Sequence, residues 1–303
     1  MMDVSSEQLR TLAAVVDTGT FDAAAAVLNV TPSAVSQRIR QLERCAGTVL
    51  LRRTKPAGTT AAGDVLLRLA RQLEALSADA ALELRGPGGG PGADRARIAV
   101  AVNADSLATW FGGALGELAA DPALELEVMR EDEGLSAEHL RTGRVMAAVT
   151  TSDRPIQGCT SVLLGTLTYR AMSTPEFAAR WFGPARTARA GGGHPLGRAP
   201  VVHYDRSDGL QWGVVRGVAG AEASPPSHYV PDSALFVRAV AAGLGWGMVP
   251  AGQAPDDGSL VMLDDAWSSP VRLYWQRWKI ETPALSRVSA VVSRAASQWL
   301  GLG

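Results

Sequence analysis

A run built only of glycine and proline, Gly86-Pro87-Gly88-Gly89-Gly90-Pro91-Gly92, divides this 303-residue chain. Glycine leaves the backbone unconstrained and proline removes a donor, so neither a helix nor a sheet ladder continues through such a run. Residues 86–94 are therefore expected to be a hinge. The chain in front of it reads as helical, whereas behind it strands alternate with helices. With 47% apolar and 19% charged residues, both sides have enough apolar surface to bury cores. No stretch approaches the roughly 18 apolar residues of a membrane span. The first residues show no basic or apolar signal region, and Cys45 and Cys159 have no partners at ligand spacing. A cytoplasmic protein with reduced thiols and no membrane partner is expected.

Three short helices open the chain. Ser5 or Ser6 caps the first, whose apolar stripe is Leu9, Leu12, Ala13 and Val16, and Gly19 ends it. Phe21 to Leu28 forms the second, and Asn29-Val30 turns the chain. Thr31 caps a third, with Pro32 at the first helical position, where its missing N–H does no harm. In this third helix Val35, Ile39 and Leu42 point inward. The opposite row is Ser33, Ser36, Gln37 and Arg40: short hydroxyls, an amide and an arginine, with no Glu/Lys mixture. Such groups suit base edges and phosphates, although a merely solvated face has the same amphipathic period.

Net charge is −1 for the whole chain, but residues 31–60 carry Arg38, Arg40, Arg44, Arg52, Arg53 and Lys55 against the single acid Glu43. Charge gathered into one segment is the electrostatic footprint of a nucleic-acid site. Val49 to Thr60 reads as two short arms around a Pro/Gly tip, a basic wing for the phosphate backbone. Thr31, Arg38, Arg52, Arg53 and Lys55 are thus candidate DNA contacts beside the base-facing row. A long helix follows from about Ala61 to Leu84. Leu66, Leu69, Leu73, Leu76 and Ala80 recur at intervals of three and four, an a/d seam that packs either on its own domain or on a second copy. A dimer suits the second option, because two reading heads bind two half-sites.

Residues 95–303 read as α/β, with strands at Arg97–Val102, Leu124–Val128 and Val145–Thr150 and helices at Ser106–Ala119 and Ala137–Thr142. A second set begins near Leu167, with strand Pro200–Tyr204, helix Ser233–Ala242 and strand Leu260–Leu263. Strand Val271–Trp278 and helix Ala284–Leu300 return to the first. The expected class is α plus α/β: a winged helix-turn-helix at 1–62, a linker helix at 63–85 and a two-lobed sensor domain like a periplasmic binding protein at 95–303. Lobe I takes 95–165 and 270–303, and lobe II takes 166–269.

Ligands of such sheets sit beyond strand C-termini, beside helix N-termini. Asn103, Asp105 and Ser106 occupy that place after the first strand, with Asp105 either a ligand group or a helix cap. Thr150 and Thr151 end another strand, and His203 and Asp205 a third. Glu131, Asp132 and Glu133 lie just past a strand end, either as a solvated loop or as acids at a cleft rim. The four histidines, at 139, 194, 203 and 228, lack metal spacing, and there is no nucleophile elbow or phosphate loop. Gly243-Leu244-Gly245-Trp246-Gly247 follows a helix instead of opening one, as a helix C-cap does. No catalytic constellation, metal or cofactor is expected.

Thr20-Phe21, Ala24-Ala25, Leu28, Val30 to Glu43, Gly47, Leu50 to Arg53 and Thr60 to Gly63 together resemble the signature of LysR-type transcriptional regulators. Behind the hinge, Ala101 to Trp110, Arg130 to Glu133, Ala147 to Thr150, Ala199 to Val202, Gly243 to Met248 and Leu273 to Trp275 resemble the arginine/lysine-export branch, ArgP/LysG. The resemblance implies a dimeric or tetrameric regulator of an amino-acid exporter gene. Operator DNA is its partner, RNA polymerase a plausible one, and lysine or arginine its effector. Glu131, Glu133 and Asp205 would then suit the ligand's cationic end. The alternatives are an unrelated effector on the same fold, or a DNA-architectural or replication-site protein.

Overall fold

The computed structural model describes residues 4–52, 54–85, 95–131, 133–183 and 194–301, with only the backbone of Leu82, Arg85, Glu133 and Gly134. The expected hinge, Arg53 and Asp132 lie outside the described residues, as does the side chain of Glu133.

The front of the chain is three helices, a wing and a long helix: α1 (Ser6–Thr18), α2 (Phe21–Val27), α3 (Pro32–Ala46), β1 (Leu51–Arg52), β2 (Gly58–Thr59) and α4 (Ala61–Arg85). Local chemistry sets each boundary. Ser5 and Gln8 form a reciprocal capping box at the start of α1, and Gly19 ends it at φ 73°. Thr20 and Thr31 cap α2 and α3 through their hydroxyls. The chain reverses between α2 and α3 through Asn29 at φ 53°. One apolar core joins these elements: Leu9 and Leu12 from α1, Ala24 and Ala25 from α2, Val35, Ile39 and Leu42 from α3, and Leu66, Leu67 and Ala70 from α4. Leu51 pairs with Thr59 in the antiparallel wing. The Ala57 N–H donates to the Gly19 carbonyl at 2.8 Å, so the wing is tied to the end of α1.

From residue 95 onward come β3 (Ala96–Val102), α5 (Ala104–Ala108), α6 (Phe111–Leu118), β4 (Leu124–Arg130), α7 (Glu133–Thr142), β5 (Ala147–Thr150), β6 (Cys159–Ser173) and α8 (Pro175–Phe182). They are followed by β7 (Val201–His203), α9 (Leu210–Ala219), β8 (Ser227–Tyr229), α10 (Ser233–Ala241), β9 (Gly247–Pro250), β10 (Val261–Met262), β11 (Ser268–Trp278) and α11 (Pro283–Trp299). The single helix expected over Ser106–Ala119 is broken into α5 and α6 at Thr109, whose backbone leaves the helical region.

The chain forms two compact units. One compact unit comprises 1–102, 117–162 and 275–291, and the other 103–116, 163–274 and 292–303. In the first, β3 pairs parallel with β4 and with β5. In the second, β6 pairs antiparallel with β9 and β10, and β7 pairs parallel with β8. Trp299 of α11 packs on Gly252, and the Thr166 N–H donates to the Gly301 carbonyl. Among the described residues no helix is long and apolar enough to cross a membrane.

Gly63 has a steric reason to be there. A Cβ on Gly63, in the first turn of α4, would lie 2.1 Å from the Leu50 carbonyl oxygen. Replacing a helical glycine by alanine ordinarily gains about 1 kcal/mol. Gly63→Ala is expected instead to destabilise the head by about 1–3 kcal/mol, read as a lower urea midpoint by far-ultraviolet circular dichroism.

Candidate nucleic-acid interface and sensor residues

Burial of Val35, Ile39 and Leu42 turns the opposite row of α3 outward. Ser33, Gln37 and Arg40 are exposed and Ser36 half-buried. Ser33, Gln37 and Arg40, but not Ser36, border a shallow groove of about 830 Å³ that also takes in Glu43, Arg44 and Val49. Thr31 accepts from the Ala34 N–H at 3.2 Å, and its hydroxyl lies 2.9 Å from that of Ser33. Arg40 Nε donates to the Ser36 carbonyl, which lays its stem along the helix. The one acid of the segment is committed elsewhere, since Glu43 Oε1 accepts from the Leu50 N–H at 3.0 Å and so ties α3 to the base of the wing. Arg52 and Lys55 are exposed on the wing. Arg38 departs from the expected set: it lies about 100° round the helix from Ile39 and pairs with Glu7 of α1.

The seam of α4 divides between two roles. Leu66 is buried in the head's own core. Leu69 is partly buried there, whereas Leu73, Leu76 and Ala80 are exposed.

In the second unit, Asn103 caps α5 by accepting from the Ser106 N–H at 2.9 Å. Asp105 is therefore not the cap. Its carboxylate accepts from the Tyr169 hydroxyl at 2.7 Å and from Ser233 Oγ at 2.5 Å. Burial, then the Asp105 charge, pushes the Tyr169 hydroxyl well above its ordinary range, so it stays protonated as the donor. Ser106 is fully buried, and its hydroxyl has no hydrogen-bond partner among the described residues. His203 is also fully buried, stacked between Trp212 at 5.1 Å and Tyr229 at 5.4 Å. Arg216 lies over Trp212 and Arg206 over Tyr229, continuing the column on each side. Asp205 accepts from the Ser207 N–H and hydroxyl and from the Asp208 N–H, and the Ser207 hydroxyl in particular holds it below the usual carboxylate range. Asp205 therefore shapes its own loop, and His203 is a core ring.

In the first unit, Glu131 lies 3.4 Å from His139 Nε2 on α7. Thr150 is buried, and Gln276 of β11 holds it. The Gln276 amide nitrogen donates to Thr150 Oγ1 and to the carbonyls of Ser152 and Arg154, while its oxygen accepts from the Ile156 N–H. Thr151 is exposed.

Two family models match the chain: the bacterial regulatory helix-turn-helix protein of the lysR family over residues 6–64, and the LysR substrate binding domain over residues 91–297. The chain belongs to the LysR family. Like its relatives in that family, it is a DNA-binding transcriptional regulator. It is 43% identical over 293 residues to the HTH-type transcriptional regulator LysG of Mycobacterium tuberculosis, covering 96% of this chain and 93% of that one. It is 38% identical over 297 residues to the lysine export transcriptional regulatory protein LysG of Corynebacterium efficiens, covering 96% and 98%. The full-length LysG of Corynebacterium glutamicum, solved with bound effector Arg, superposes with a TM-score of 0.84 at 34% identity, covering 98% of this chain and all of that one.

Several residues of this LysR-family regulator carry no signal by themselves in the sequence. Tyr169 sits mid-strand, and Gln276 is one amide in an otherwise apolar and basic strand. Ser233 follows Asp232, and that pair reads only as a helix start, which it also is. The buried imidazole of His203 has a consequence for pH dependence. Burial lowers its affinity for a proton below the ordinary value of 6.5, against the opposing charge of Asp208, and Arg206 and Arg216 flank the column. The unfolded chain takes up that proton as pH falls through about 6.5, and the folded chain does not. Stability is therefore expected to decline as pH drops below about 6.5, and His203→Phe to flatten that decline in melting curves taken from pH 8 to pH 5. A wild-type slope retained by the variant would remove His203 from this role.

Proposed function

We propose that this regulator senses a basic amino acid, lysine or arginine, and controls an amino-acid exporter gene. The observation that carries this reading is the near full-length likeness to a regulator solved with arginine as its effector. The chemistry of Asp105 supports it. Two hydroxyl donors hold the carboxylate in place, and a carboxylate so held attracts an ammonium or guanidinium group and repels an anionic ligand. Asp105 is accordingly assigned to the ligand's cationic end, with Tyr169 and Ser233 as its positioning residues. Glu131 and Glu133 are further acidic candidates, and Asn103, Ser106, Thr150 and Thr151 are candidates for the ligand carboxylate.

In this reading Ser33, Ser36, Gln37 and Arg40 face base edges in the major groove, and Thr31, Arg52, Arg53 and Lys55 hold phosphates. Leu69, Leu73, Leu76 and Ala80 of α4 meet a second copy, giving a dimer that pairs further into a tetramer, and RNA polymerase is the partner at the promoter.

All eight tryptophans follow Gly92, so ligand binding is readable by intrinsic fluorescence. Lysine or arginine is expected to change the emission and raise the melting temperature. Asp105→Asn is expected to weaken binding by about 10-fold or more, the effect of losing about 1.5–3 kcal/mol from a charged hydrogen bond. Silence of the wild-type protein toward both amino acids would sink the basic-effector reading.

For DNA, an operator selected by the protein from random sequence is the reference. Arg40→Ala is expected to lose about 1–3 kcal/mol of discrimination at one base position while non-specific binding persists. Undiminished operator preference in that variant would contradict the base-facing assignment.

A further inference from the structure

Arg68 lies on α4 between Leu67 and Leu69, yet it does not face solvent: only 8% of the residue is exposed. Its Nη1 donates to the Arg141 carbonyl at 3.2 Å. Arg141 is in the last turn of α7, where carbonyls have no partner within the helix and the dipole is negative. No carboxylate forms an ion pair with Arg68 among the described residues. Two left-handed glycines complete the seat. A Cβ on Gly143, at φ 79°, would lie 3.1 Å from Arg68 Cα, and one on Gly158, at φ 87°, would lie 3.4 Å from Arg68 Nε. The linker helix therefore rests in a notch whose walls are the end of α7 and the turn before β6.

A guanidinium so placed is an expensive packing group, because burial of a cation without an anion costs more than a methylene stem recovers. What it adds is a directional contact with a helix end that holds or breaks in small displacements. Both walls of the notch are the far ends of elements that start at candidate sensor residues of the same unit. The helix α7 begins just after Glu131, whose carboxylate is also paired to it through His139. The segment from Thr150 and Thr151 to Gly158 is clamped along its length by Gln276. On the other side of α4, Leu66, Leu67 and Ala70 are locked into the core of the DNA-reading head. Rigid elements thus run from candidate sensor residues to the notch, and from the notch to the head.

We infer that the Arg68 notch is the coupling contact through which the state of the sensor domain biases the linker helix and the DNA-reading head. The ligand part of this inference rests on the proposed function; the contact itself does not. Coupling between two sites is reciprocal, so operator binding must also act on the notch, and that is measurable without any effector.

The test uses the full chain, the selected operator and two variants, Arg68→Met and Arg68→Lys, the second keeping the charge but losing the planar fork. Amide hydrogen exchange at residues 141–144 and 157–159 is measured with and without operator, and operator affinity with and without lysine or arginine. Wild-type protein is expected to change exchange at the notch at least 3-fold on binding operator. Arg68→Met is expected to lose that change and to bind operator with a Kd that effector no longer alters, while tryptophan fluorescence still reports effector binding within about 3-fold of wild type. Arg68→Lys is expected to fall between the two, and it carries the comparison if Arg68→Met does not fold. An operator-induced change that persists in the folded variants, or that is absent from wild type, overturns the inference. If lysine and arginine are silent in wild type while the operator effect depends on Arg68, the effector reading fails and the coupling contact stands.

Discussion

The rotation of α4 about its own axis is the constraint on which the arrangement of the first unit depends. Leu66, Leu67 and Ala70 enter the core formed by α1, α2 and α3, and their burial leaves the helix no freedom to turn. Gly63 lets the start of that helix sit against the Leu50 carbonyl at the base of the wing. Leu73 and Leu76 continue the seam of Leu66 past Ala70, the last buried α4 residue of that core, and are exposed there, while Arg68, on the other side of the helix, points into the notch beside Gly143 and Gly158. One helix thereby holds the reading head together, presents an apolar edge and contacts the end of α7.

Carboxylates make the second layer of organisation, and each is defined by what donates to it. Glu43 lies within the basic segment, and its acceptance of the Leu50 amide braces the wing. Asp205 is spent on its own loop. Asp105 differs, because its donors come from distant elements, Tyr169 on β6 and Ser233 at the start of α10. A carboxylate gathered by long-range hydroxyl donors is held in place by the fold, which is the condition for recognising a ligand of fixed shape. The stacked column around His203 makes the same unit rigid by a different means: ring faces and guanidinium groups replace hydrogen bonds, and the imidazole stays neutral.

The sequence by itself determined the reading head. Its helix starts follow from Ser5, Thr20 and Thr31, its turns from Gly19 and Asn29, and its outward row from the i, i+4, i+7 burial of Val35, Ile39 and Leu42. All of these are local, with partners within a few residues, so period and capping reveal them. The α/β character of the remainder was legible for the same reason, as strand alternation in 97–102 and 124–128 shows. Tertiary structure decided whatever depends on residues far apart in the chain. Arg38 went to Glu7, Leu66 to the head's own core, and His203 into a ring stack. Asp105 was drawn to Tyr169 and Ser233, 64 and 128 positions away, and Arg68 to a helix end 73 positions on. Side-chain type announces the capacity for a contact, but a long-range partner is chosen by the packing of whole elements, and no local period records that choice.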